Sequence, residues 1–177
     1  MLKSINYFFQ FLLIIFFLLF GRLVGIKLSR IIFSNIFLYL GPLFKSKLIF
    51  QKNINFFSKS LSNIEIKKIY RSMWKNYGMT FIEYIYLDYL KKNNSHIEIK
   101  EKTNLSTINN KKPVIFVSGH FANFELMSME ITKKNIKLAT IYRPLNNIFL
   151  NPLMEYLRKK FVCKNQIKKG ISGVRDA

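Results

Sequence analysis

The first strong pattern along the chain is a run with almost no polar position. Ile5 to Phe20 reads INYFFQFLLIIFFLLF, interrupted only by Asn6 and Gln10, and Lys3 and Arg22 bracket 18 uncharged residues. A helix rises ~1.5 Å per residue and a bilayer's hydrocarbon core is ~30 Å thick, so this stretch can span or nearly span it. Gly21-Arg22-Leu23-Val24-Gly25 is a poor cleavage site, so an uncleaved anchor is preferred over a secretory signal peptide. A second apolar stretch, Ile31 to Phe44, is broken by Gly41-Pro42 and is short for a span. It predicts an amphipathic or buried helix along the interface, with nearby lysines toward lipid headgroups.

From Lys45 to about Leu90 the periodicity changes to that of surface helices. Ser62 is a candidate N-cap, and Glu65 three residues later completes a capping-box pattern. Ile66, Ile69, Tyr70, Met73, Trp74, Tyr77 and Phe81 then recur at spacings of three and four, which makes one apolar helix face. Packing against the rest of the protein or the membrane explains this stripe better than any cofactor role.

Residues 91–112 are rich in Asn, Ser, Thr and Lys around a possible short strand, His96 to Lys100, and mark a boundary. Pro113 opens Val114-Ile115-Phe116-Val117, a continuous apolar run that predicts a strand buried on both faces. Gly119 turns the chain into a helix from Phe121 to about Lys134. A second strand is expected over Lys137 to Tyr142, a helix over Asn147 to about Lys160, a third strand beginning at Phe161-Val162, and a further helix starting within Lys168 to Asp176. Strand alternating with helix predicts an α/β fold, a partial parallel or mixed sheet with flanking helices. The division expected is an anchor helix over 1–22, a helical membrane-facing region over 23–95 and an α/β core over 96–177.

Charge narrows the partners. Lys plus Arg number 29 against nine Asp plus Glu, a formal net charge of +20. Nucleic acid, an anionic membrane face or an acidic carrier protein would each suit it, and part of the excess simply solvates the surface. The lysines are scattered rather than gathered in a nucleic-acid motif, which argues against specific nucleic-acid recognition. Arg22, Lys27, Arg30, Lys45 and Lys47 all follow the first apolar run, so that side is expected to stay cytoplasmic. Cys163 is the only cysteine; no intrachain disulfide or cysteine metal cluster can form, and a reducing setting fits best.

Of the two histidines, His96 lies in a polar region and reads as a surface residue, whereas His120 follows the expected buried strand and Gly119. Open α/β sheets place ligands beyond the carboxyl ends of their strands. Glu125, five residues on, would lie ~140° around an unbroken helix from His120, at ~100° per residue, and would face away. With His120 in the turn before the helix, a carboxylate in the second turn can reach back to the imidazole. It would fix the tautomer and stabilise the imidazolium, leaving the other nitrogen to take a proton from an attacking hydroxyl. The helix N-terminus adds N–H groups for a phosphate or an oxyanion. No G-x-S-x-G elbow is present, which favours direct acyl transfer over a covalent acyl-enzyme.

The segment Val114-Ile115-Phe116-Val117-Ser118-Gly119-His120-Phe121-Ala122-Asn123-Phe124-Glu125 resembles the His-x4-Glu/Asp motif of the lipid A late acyltransferases, the lauroyl and myristoyl transferase family that includes phosphatidylinositol mannoside acyltransferases. Tyr142-Arg143-Pro144, followed by Arg158 at the end of Asn151-Pro152-Leu153-Met154-Glu155-Tyr156-Leu157-Arg158, resembles a second family motif in the right order. The likeness covers essentially the whole chain and implies a glycerolipid-acyltransferase-like fold. It implies His120 and Glu125 as the catalytic pair, and Arg158 and Arg143 as substrate-binding or site-building residues. It further implies transfer of a fatty acyl group from acyl carrier protein to a hydroxyl of a lipid A precursor or related glycolipid. The expected setting is the cytoplasmic side of the inner membrane, among anionic lipids, with no metal or cofactor. The family continues through a strand with an acidic motif and a glycine- and proline-containing block, so the resemblance implies an N-terminal fragment. Two rivals stand beside this reading: a basic membrane-anchored binding protein without catalysis, and a family enzyme using another glycolipid acceptor and acyl-coenzyme A.

Overall fold

The computed structural model describes residues 2–44, 47–58, 60–93, 97–98, 100, 113–170, 173 and 175. His96, most of the strand expected from His96 to Lys100, and most of the helix expected before Asp176 lie outside the described residues. The chain forms two compact units, one of Met1–Phe17 with Tyr86–Ala177 and one of Leu18–Ile85.

The apolar start is one helix, α1 (Leu2–Val24), contributing its first part to one unit and its last turns to the other. Gly25, at φ 84°, takes the left-handed conformation that side chains resist, and this ends α1. Helix α2 (Ile26–Phe44) follows, then α3 (Lys47–Phe57) and α4 (Asn63–Glu83). Helices Leu2–Val24 and Ile26–Leu43 are both long and apolar enough to cross a membrane. The second apolar element thus begins earlier than expected and runs through Pro42. A proline in the last turns removes one backbone bond, and packing of α2 on α4 outweighs that loss.

In the Leu18–Ile85 unit, α2 and α4 run antiparallel, Phe33 and Phe37 lying 5.8 and 5.4 Å from the Phe81 ring. Gly78 is needed where they meet, because a Cβ there would strike the Phe33 carbonyl oxygen. Trp74, Ile82 and Phe33 are buried in this seam, while Ile69 and Tyr77 of the expected stripe sit at its exposed edge. The capping box forms as read: the Glu65 amide donates to Ser62 Oγ, and the Ser62 amide donates to Glu65 Oε2 at 2.8 Å. These bonds, with the Lys68 charge, hold the Glu65 carboxyl below its ordinary pKa.

The other unit is the α/β part. After a 3-10 turn (Tyr84–Tyr86) come α5 (Leu87–Lys92), α6 (Glu125–Lys133), β1 (Ala139–Tyr142), α7 (Leu150–Leu157), a π-helical turn (Arg158–Val162) and β2 (Asn165–Lys168). β1 and β2 pair in parallel, Ala139 opposite Asn165 through Tyr142 opposite Lys168, joined by a helical crossover as the alternation predicts. Leu87, Leu90, Met129, Ile131, Leu157 and Val162 form its core. The Thr132 hydroxyl donates to Val162 O and the Cys163 thiol to Leu138 O, fastening α6 and β1 to the turn before β2.

Two strand expectations need correction. Val114 to Val117 forms no strand: Val114, Ile115 and Val117 are 50%, 88% and 91% exposed. An apolar run specifies side chains but supplies no ladder partner, and β1 and β2 pair with each other in the only sheet among the described residues. Phe161-Val162 does not start a strand either; it closes the π-helical turn, and the strand begins at Asn165.

Candidate functional site

The segment that carries His120 is a tight reversal, not a helix. The Phe121 amide donates to the Gly119 carbonyl at 2.9 Å, a three-residue turn centred on His120. Ala122 then adopts φ 48°, left-handed backbone that cannot continue into an α-helix. Helix α6 therefore starts at Glu125 rather than at Phe121, and the carboxylate sits in its first turn instead of its second. That is the end where the helix dipole favours a negative charge.

His120 is exposed, and its ring lies 4.3 Å from the Phe124 ring. Among the described residues no hydrogen bond joins it to Glu125. Glu125 pairs with Arg158, whose Nε donates to Glu125 Oε1 at 2.6 Å, with the Arg158 and Glu125 side chains only 12% and 8% exposed. The geometry thus brings Glu125 and Arg158 together and leaves His120 at the rim, in the turn just before α6. Arg143 lies exposed, directly after β1.

Arg158 opens the π-helical turn, whose wider loop is closed by the Cys163 amide donating to the Arg158 carbonyl. Its guanidinium stands 5.8 Å from the centre of the Tyr142 ring. The Tyr142 hydroxyl donates to Glu155 Oε1 at 2.6 Å, and Glu155 also accepts from Asn151 Nδ2 at 2.7 Å and pairs with Lys168 at 3.5 Å. Burial, then the Glu155 bond and charge, push the Tyr142 phenol up to about 12. The Tyr142 bond, followed by the Asn151 and Lys168 contacts, lowers Glu155 against the opposing effect of burial.

Asn151 and Asn147 fix the approach to α7. Asn151 Oδ1 accepts from the Leu145 amide, and Asn147 Oδ1 accepts from the Phe149 and Leu150 amides at the start of the helix. Asn147 Nδ2 donates to the Tyr7 carbonyl of α1 at 2.8 Å, and Phe149 packs edge-on against Phe8. Sequence reasoning assigned no role to Tyr142, Asn147, Asn151, Glu155 or Lys168. The one signal for Glu155 was scarcity, since a carboxylate in a chain of nine acids and 29 basic residues has a strong chance of being paired. Among the described residues no group of three or more His, Cys, Asp or Glu gathers as metal ligands.

The motif around His120 and the motif ending at Arg158 are therefore joined by a buried ion pair across the α/β unit. A family model described as bacterial lipid A biosynthesis acyltransferase matches residues 1–175. The chain belongs to the bacterial lipid A biosynthesis acyltransferases. Searches of curated proteins and of solved structures return no match. In this acyltransferase the expected α/β fold holds, and the two apolar helices at the start fit a membrane-associated member of the family.

Proposed function

We infer that the chain moves a fatty acyl group from an acyl carrier protein thioester to a hydroxyl of a lipid A precursor, with His120 as general base and Glu125 as its orienting partner. The observation that carries this reading is the Glu125–Arg158 ion pair, which joins two motifs 33 residues apart beside the exposed His120.

His120 takes the proton of the acceptor hydroxyl while the hydroxyl oxygen bonds to the thioester carbonyl carbon. The carbon–sulfur bond then breaks, and the carrier's thiolate takes the proton from the imidazolium and leaves as a thiol. Arg158 fixes the Glu125 carboxylate in the first turn of α6. The imidazole turns from Phe124 toward that carboxylate when the acceptor binds, in keeping with catalytic bonds that tighten only in the substrate complex. The first amides of α6 face the developing oxyanion. Arg143, exposed after β1, binds phosphate on the acceptor.

Residues 1–22 serve as the anchor, residues 23–95 face the membrane and residues 96–177 carry the chemistry. The basic residues in the last turn of α1 and beyond it, Arg22, Lys27 and Arg30, keep that side cytoplasmic at the inner membrane and meet anionic lipid there.

The test follows labelled acyl groups from acyl carrier protein to a lipid A precursor in vesicles carrying the protein. His120→Ala and Glu125→Ala are each expected to lower transfer by about 10²–10⁴-fold. Unchanged transfer in His120→Ala would remove the general-base role. Transfer to the same acceptor from acyl-coenzyme A but not from the carrier protein would replace the donor.

A further inference from the structure

Helix α4 has two faces of different chemistry. One lies along α2, where Gly78 meets Phe33 and Trp74 meets Gly41. On the other, Ile64, Lys67, Lys68, Arg71, Ser72 and Lys75 line a shallow groove of about 350 Å³. Lys67, Arg71 and Lys75 follow one another at intervals of four, the spacing that keeps side chains adjacent on a helix, and like charges so placed destabilise it.

The two acids of α4 leave most of this charge uncompensated. Glu65 is bonded to Ser62, with only Lys68 near enough to lower its pKa, and Glu83 pairs with Arg30 at 3.1 Å. Among the described residues no ion pair links Lys67, Arg71 or Lys75 to a carboxylate. The stripe calls for an anion from outside the chain.

The same unit also points to where that anion resides. Leu28, Ile31, Leu40 and Leu43 of α2 and Phe56 and Phe57 of α3 are exposed apolar side chains. Packed helices lie ~8–10 Å apart, close to the Debye length of ~8 Å at physiological salt. A lipid surface against α2 is therefore within electrostatic reach of basic side chains on α4. If α2 crossed the bilayer, α4 would be drawn in with it, and each of four basic side chains would be disfavoured roughly a hundredfold in the hydrocarbon.

We propose that α2 and α4 lie together in the membrane interface, α2 with apolar side chains in the acyl boundary and Lys67, Lys68, Arg71 and Lys75 of α4 on anionic lipid headgroups. The exposed apolar surface of α2 and α3 selects lipid over an acidic protein. The proposal is independent of the acyl-transfer chemistry.

Trp74 is the only tryptophan, so its depth can be read directly in vesicles carrying the full chain. Quenching by lipids brominated near the headgroup should exceed quenching by lipids brominated near the chain ends. A fluorophore on Ser72→Cys, attached under native conditions where Cys163 is buried, reads the stripe by energy transfer to a headgroup acceptor. Transfer should be higher in vesicles containing phosphatidylglycerol than in pure phosphatidylcholine. It should fall as salt rises to ~1 M, where the Debye length is ~3 Å. It should also fall when Lys67, Lys68, Arg71 and Lys75 are all replaced by Gln, a change confined to exposed side chains, with helicity unchanged by circular dichroism. Quenching strongest at the bilayer centre would overturn the proposal, as would transfer indifferent to lipid charge and salt. A stripe that responded to added acyl carrier protein but not to anionic vesicles would overturn it too and assign the face to an acidic protein.

Discussion

Replacing Arg158 by Met tests whether the Glu125–Arg158 pair holds the site together. The two side chains are 12% and 8% exposed and 2.6 Å apart, so Arg158→Met leaves a carboxylate in a dry environment with its principal charge partner gone. Removing one member of a buried ion pair costs about 3–5 kcal/mol, most of it for the charge left behind. For a chain of this size each kcal/mol shifts the melting temperature by about 2–4 °C, which gives a fall of about 6–20 °C. Cys163 is buried in the same unit, so a thiol-reactive dye that fluoresces on its exposure reports the melting of that unit alone. The double variant Glu125→Gln with Arg158→Met removes both charges and should recover most of the loss, because the stranded charge is gone. A fall below about 2 °C in the single variant, or no recovery in the double variant, would refute the reasoning. The pair would then be solvated and would not couple the two motifs energetically.

His120→Ala should leave that melting temperature within about 2 °C of the parent, since substitutions at exposed positions stay within about 0.5 kcal/mol, while acyl transfer falls; a large drop in stability would mark His120 as structural. The lowered pKa of Glu155 predicts an acid-dependent contribution to stability. A depressed carboxyl stabilises the fold above its unfolded value near 4.5 and loses that contribution as pH falls through the lower folded value, so the parent's advantage over Glu155→Gln should shrink on acidification below 4.5. A gap constant from neutral pH to below that window would contradict the assignment. Gly78→Ala should destabilise the Leu18–Ile85 unit by about 1–3 kcal/mol, because the added Cβ meets the Phe33 backbone; Trp74 fluorescence follows that unit in urea, and an unchanged midpoint would show that the helices separate freely.

Local signals carried the parts of this protein whose cause is local. The apolar character of α1 depends only on which residues are consecutive, and the capping box at Ser62 and Glu65 spans three residues, so both were legible before any folding. The same holds for β1, for the parallel alternation of strand and helix, and for a histidine and a glutamate at a fixed spacing. Tertiary structure decided what those residues face. Val114 to Val117 has the side chains of a buried strand but, among the described residues, no strand beside it, and Pro42 stays helical where α2 packs on α4. The left-handed turn at Ala122 places Glu125 at the first residue of α6, where Arg158 reaches it from the π-helical turn. A spacing of five along the chain says nothing about a partner 33 residues away. That partner is set by the crossover between β1 and β2, because a buried carboxylate must be matched by whichever cation the fold brings to it.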